Sequence, residues 1–146
     1  MAVFRIGRTT ALPAAECWLR VTDWPAHAAQ VPLTSVSVRG GTPTGVGTVF
    51  VARTGLGRLG FDDPMEVVRW QPPSGARPGR CRLVKRGRVI TGWAEIEVRP
   101  VGEGSAVVGV EELRFAALPR VLDRLVARVG RVIFGRALQG LLARRP

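Results

Sequence analysis

Residues 118–144 read LPRVLDRLVARVGRVIFGRALQGLLAR, and how they fold decides the architecture of the chain. Leu118, Val121, Leu122, Leu125, Val129, Val132 and Ile133 recur at three- and four-residue steps. At about 100° per residue they fall within roughly 120° of arc. The spacing predicts one long amphipathic helix that buries this stripe. Arg120, Arg124, Arg128 and Arg131 fall on the opposite side, where guanidinium groups stay hydrated above their apolar stems. A helix of about 27 residues would span roughly 40 Å, enough to cross a whole sheet.

Outward from that segment the texture changes. Between Leu33 and Leu113 short runs rich in Val, Ile, Thr and Phe are punctuated by Gly, Pro and Asp turn signals. Strands are predicted at 34–39, 48–54, 65–70, 80–90, 92–100 and 105–113. No helix-length segment separates them, so successive strands should pair antiparallel in a meander. Ahead of them, 2–10 reads as a first strand ending before Pro13. Residues 14–21 carry Cys17, Trp18 and Val21 at helical spacing. Thr22-Asp23 then caps a second short helix, with Pro25 in its first turn and Pro32 beyond its end. The prediction is an α+β chain: a curved antiparallel sheet of about seven strands wrapped around a long C-terminal helix, with two short helices after strand 1.

Composition narrows the class of protein. A chain of 146 residues is the size of one domain and can bury a full core without metal or disulfide staples. Hydrophobic residues at 46% and charged residues at 23% exclude a globally disordered chain. No window reaches the roughly 18 apolar residues of a membrane span, and the start MAVFR lacks a secretory leader, so a cytoplasmic protein is expected. Cys17 and Cys81 alone suggest neither a disulfide framework nor a thiolate metal site. The net charge of +11 raises nucleic acid or an anionic membrane as partners. Yet Lys85 is the single lysine, Asn and Tyr are absent, and Ala, Gly, Val and Pro abound. That pattern is the coding bias of a GC-rich genome. The positive charge is scattered and lacks interleaved aromatics, which argues against nucleic acid.

Several stretches together resemble the START-like, or SRPBCC, superfamily and its bacterial polyketide cyclase/dehydrase-like branch. They are Asp23-Trp24-Pro25, Gly45-Val46-Gly47-Thr48, Phe61-Asp62-Asp63-Pro64-Met65-Glu66-Val67, Trp70-Gln71-Pro72-Pro73, Gly87-Arg88-Val89 with Gly92, and Glu111-Glu112. The resemblance runs over nearly the whole chain and implies that residues 1–146 form a single ligand-binding domain of the helix-grip fold. It also implies a deep apolar cavity between sheet and terminal helix. Candidates for the wall are Trp24, Phe50, Phe61, Met65, Val67, Phe115 and, from the helix stripe, Val129. Each taken singly is ordinary core.

Polar side chains facing such a cavity would say more, because a buried charge needs a partner or a ligand. By strand parity Arg53 goes with Val49 and Val51, Arg69 with Met65 and Val67, and Glu111 with Val107, so each could point inward. Arg88 alternates with Arg86, and Arg136 falls at the centre of the predicted apolar arc. His27, the single histidine, reads as a surface residue on a short helix. Glu95 and Glu97 share a strand face opposite the apolar Ala94, Ile96 and Val98, so they should point outward against cross-strand arginines. Asp62 and Asp63 precede Pro64 and read as a turn. Gly55-Leu56-Gly57-Arg58-Leu59-Gly60 matches a dinucleotide fingerprint literally, but Phe61-Asp62-Asp63-Pro64 cannot open the required helix. It reads as a flexible glycine-rich loop gating the cavity mouth. No metal and no cofactor are expected.

Three functions fit these readings. The first is binding of a hydrophobic small molecule, of polyketide, isoprenoid or lipid-like kind, as the resemblance implies. The second is a polyketide aromatase/cyclase or dehydrase that positions its substrate and stabilises enolate charge with arginine. Cyclising members of the superfamily generally also employ pocket Tyr with Ser or His, and this chain has no Tyr. The third is peripheral contact with an anionic membrane, or with nucleic acid, through the arginine-rich helix. Nothing in the sequence specifies an oligomeric state.

Overall fold

The computed structural model describes residues 2–39 and 44–143. Arg144, where the predicted helix ends, Arg145 beyond it, and the Gly40-Gly41 turn lie outside the described residues. The element order is β1 (Ala2–Thr10), α1 (Ala14–Val21), α2 (Trp24–Gln30), β2 (Thr34–Arg39), β3 (Val49–Leu56), β4 (Leu59–Gln71), β5 (Gly79–Arg86), β6 (Ile90–Val101), β7 (Gly104–Phe115), a 3-10 turn (Arg120–Leu122) and α3 (Asp123–Ala143). The fold is the predicted helix-grip α+β arrangement. All seven strands form one antiparallel sheet in the order β1-β7-β6-β5-β4-β3-β2. Strands β2 to β7 make the meander. β1 skips its sequence neighbour and joins the far edge, pairing with β7 from Ala2↔Leu113 to Thr10↔Ser105.

Local chemistry explains the short helices. Asp23 Oδ1 accepts from the Ala26 amide at 3.1 Å, and Pro25 occupies the first turn of α2. Trp18 of α1 sets its ring edge-on against Trp70 of β4, with centroids 5.0 Å apart. Together with Cys17, Val21, Cys81 and Val98, these rings close one end of the sheet's inner face.

Three sequence expectations require correction. First, β4 starts at Leu59, so Gly55 to Gly60 is the tight turn of a β3–β4 hairpin and no flexible loop. Gly55 pairs with Gly60, and a side chain on Gly55 would stand 2.1 Å from the Leu59 carbonyl. Two glycines let the backbones pass where no Cβ fits. Asp62 and Asp63 therefore sit within a strand.

Second, the register of β4 against β5 shifts between Val67 and Arg69. A bulge consumes one residue and reverses parity beyond it. Arg69 is thereby turned to solvent, bonding Gln71 at 3.2 Å.

Third, α3 buries a different arc from the one predicted. Gly130, Gly135, Ala137, Leu138 and Leu141 are buried, while Leu118, Val121, Leu125, Val129 and Val132 are exposed, Val121 at 83%. The reason is close approach. A side chain at Gly130 would lie 2.6 Å from the Phe4 ring, so this glycine is what allows α3 to settle onto β1. Small residues on one face shorten the distance between packed elements, and counting large apolar residues overlooks that face. Phe134 then stacks on Phe4 at 5.8 Å. Arg136, out of place in a buried arc, is at home on the exposed one.

Candidate functional site

Alternation along the strands sends Phe61, Asp63 and Met65 of β4, Leu83 and Lys85 of β5, and Glu111, Leu113 and Phe115 of β7 to the inner face, beneath α2 and α3. Between this face and the helices lies a cavity of about 290 Å³, near the lower bound of roughly 300 Å³ for small-molecule pockets. Its wall is apolar over most of its area, with Trp24 and Phe50 stacked at 4.7 Å on one side and Phe61 and Phe115 edge-to-face at 6.3 Å on another.

Three ionisable side chains interrupt that wall as a cluster. Lys85 Nζ stands 2.7 Å from Asp63 Oδ2, 3.5 Å from Glu111 Oε1 and 3.5 Å from the Met65 sulfur. The lysine side chain is 3% exposed and its two carboxyl partners are also largely buried. Burial pushes the Asp63 carboxyl above its ordinary range, against the pull of Lys85. Burial and the neighbouring Asp63 likewise raise Glu111. Burial alone would lower Lys85, but Glu111 and Asp63 outweigh it, so the ammonium persists. With both carboxyls ionised, one cation between them leaves a surplus negative charge in an apolar hollow, so burial and mutual repulsion make both hold a proton more tightly than usual. An ammonium and two carboxyl groups are thus presented side by side. Such a cluster can donate hydrogen bonds to a ligand oxygen and accept a proton from a neighbouring carbon.

Two further polar atoms bear on the cavity. Among the described residues, Trp24 Nε1 and Asp63 Oδ1 are buried without a hydrogen-bond partner, which is uncommon in folded proteins. His27, expected on the surface, lines the hollow, stacks on Trp24 and engages the Val21 carbonyl through Nε2 at 2.5 Å. Burial lowers its pKa, so the ring is neutral at pH 7 and Nε2 donates.

Of the predicted wall, Trp24, Phe50, Phe61, Met65, Glu111 and Phe115 line the cavity. Val67 is fully buried in the core beside it. The arginines do not converge there. Arg53 lies on the outer sheet face, paired with Asp62 at 3.0 Å. Arg69, Arg88, Val129 and Arg136 are exposed, and among the described residues no arginine lines the hollow. Glu95 and Glu97 point outward, as expected, to Arg82 and Arg80. Lys85 and Asp63 were missed. A signal for Lys85 existed, since it shares parity with Cys81 and Leu83 and is the one lysine in an arginine-rich chain. Asp63 was hidden by the late start assigned to β4.

No family model and no curated protein matches the chain. Solved structures do. The protein TTHA0849 from Thermus thermophilus is 17% identical with a TM-score of 0.74, over 95% of this chain and 93% of that one. The Zhui aromatase/cyclase from Streptomyces sp. R1128 is 15% identical with a TM-score of 0.66, over 96% and 90%. A Thalictrum norcoclaurine synthase point mutant, in complex with a transition-state analogue, is 14% identical with a TM-score of 0.64, over 96% and 91%. The fold is thus the helix-grip fold that these structures share.

Proposed function

We propose that the chain binds an apolar small molecule bearing a carbonyl or hydroxyl oxygen, its body against Trp24, Phe50 and Phe115 and its oxygen at the Lys85–Asp63–Glu111 cluster. The observation that carries this reading is a cluster of three buried ionisable groups inside an otherwise apolar hollow. Polar groups kept in such a place cost stability unless they serve an occupant. The fold shared with an aromatase/cyclase and a norcoclaurine synthase supports small-molecule chemistry in general. The buried free thiols of Cys17 and Cys81 suit a reducing, cytoplasmic setting.

A second reading, catalysis at a carbonyl substrate as in cyclisation or dehydration, is favoured by the same cluster. The charge-stabilising cation for an enolate is then Lys85 and no longer arginine, with Glu111 or Asp63 as the proton donor and acceptor.

Binding is tested with a matched pair, 2-acetylnaphthalene and 2-ethylnaphthalene, followed by tryptophan quenching. The ketone should bind at least about tenfold more tightly than the hydrocarbon, and Lys85→Gln should erase the difference. Ala52→Leu, which fills the cavity from β3, should weaken both guests while leaving the melting temperature unchanged or raised. Equal affinity of ketone and hydrocarbon overturns the polar anchor. Unaltered binding by Ala52→Leu overturns the cavity.

A further inference from the structure

The apolar residues that α3 does not bury point outward. Leu125, Val129 and Val132 make a stripe along the exposed side of the helix, continued before its start by exposed Leu118 and Val121; at about 100° per residue Arg128 borders the stripe and Arg136 lies on it, while Arg124 and Arg131 lie round the far side. A second apolar feature lies at the same end of the sheet. The β3–β4 hairpin projects Leu56 and Leu59 into solvent, Leu59 at 83% exposure, on either side of Gly57-Arg58. The contact between Phe61, two residues past Leu59, and Phe115, three residues before Leu118, ties hairpin tip and helix start together. The β5–β6 turn adds exposed Arg88 and Val89 there, because Ile90 pairs with Phe115. Apolar tips and arginines are thus intermixed over one end of the molecule.

We propose that this end docks on the surface of an anionic phospholipid bilayer, with Leu56, Leu59, Leu118, Val121 and Leu125 entering the headgroup layer. Charge complementarity selects the occupant. The exposed guanidinium groups of Arg58 between the hairpin leucines, Arg88 beside Val89 and Arg128 at the edge of the helix stripe reach lipid phosphates while their stems lie along the acyl boundary. A second copy would bring arginines against arginines. Nucleic acid would use the arginines but leave the aliphatic tips idle. The helix lies on the bilayer and does not cross it, since no described helix is long and apolar enough to span.

The cavity gives the docking a use. The end of the inner face carrying Cys17, Trp18 and Trp70 is packed shut. The hollow instead extends to Phe61, Phe115, Thr34 and Thr54, beneath the hairpin and the helix start. A docked molecule would hold its mouth to the lipid, from which an apolar guest enters without crossing water.

The test is flotation of the full chain with vesicles of phosphatidylcholine alone or doped with phosphatidylglycerol. Binding should be at least about tenfold tighter to the doped vesicles and should weaken as salt is raised through physiological strength. Leu56→Ser/Leu59→Ser and Val121→Gln/Leu125→Gln change only exposed side chains, so folding is retained, and each should reduce binding about tenfold or more. Ala52→Leu closes the cavity and should leave vesicle binding intact, so failure here and failure of the cavity reading are separable. Three results overturn the proposal: no preference for phosphatidylglycerol, full binding by both leucine and valine variants, or a concentration-dependent dimer in sedimentation that the same variants abolish.

Discussion

Asp62 and Asp63 are adjacent in sequence, and each meets one cation, yet they live in different solvents. Asp62 faces outward and pairs with Arg53 at 3.0 Å, both side chains about half exposed. Asp63 faces inward and pairs with Lys85 at 2.7 Å, beneath an apolar roof and close to a second carboxyl, Glu111. Water screens the first pair, which contributes little beyond orienting two side chains. The second is screened by almost nothing, so both its attraction and the surplus negative charge are felt. The outer face repeats the inexpensive arrangement in Arg80–Glu97, Arg82–Glu95 and Arg86–Glu66. A single pleat therefore separates solvent-screened ion pairs from a buried ionisable cluster.

The contrast is broken most severely at its centre. Lys85→Met removes the cation that faces two buried carboxyls and should cost about 3 kcal/mol or more in urea unfolding at pH 7. A loss below about 1 kcal/mol would show the cluster to be open to water.

A subtler change sharpens the comparison through pH. Asp63 and Glu111 have raised native pKa values, so the native state holds protons more tightly than the unfolded chain. The stability this lends is complete below the ordinary carboxyl range and is lost as pH rises through the raised values. His27, with its lowered pKa, acts oppositely: its contribution is present above about pH 6.5 and is lost on acidification. Glu111→Gln keeps the hydrogen-bonding shape, removes the surplus charge and leaves Lys85 neutralised by Asp63. It should exceed the wild type by about 1 kcal/mol or more at pH 8 and lie near it at pH 5. Urea midpoints that run parallel at both pH values would contradict the surplus-charge account.

The smallest effect belongs to the outer face. Arg53→Ala or Asp62→Asn should shift stability by no more than about 0.5 kcal/mol, without altering its pH dependence or ligand binding. Thermal melts at pH 5 and pH 8 check this directly, and a larger shift would mean that the outer pair shares in the inner network.

The sequence by itself determined the elements and their order: alternation at 34–39 and 105–113, the cap at Asp23-Pro25, and a helical period, read from 118 and realised as α-helix from Asp123, are local signals that neighbouring residues write on their own backbone. Parity, a local count, set Glu95 and Glu97 on the outer face but offered Glu111 only as one of three residues that could face inward, of which Arg53 and Arg69 do not. Tertiary structure decided what depends on distant partners. The bulge after Val67 reversed Arg69, glycine-to-glycine pairing drew Asp63 into β4, and the fit of Gly130 against Phe4 rotated α3 so that a different apolar arc is buried. A helix with two apolar arcs has no local reason to bury one and not the other. That choice rests on close packing between sheet and helix, and the meeting of Lys85, Asp63 and Glu111 on the register across β4, β5, β6 and β7, neither of which any single window of the chain contains.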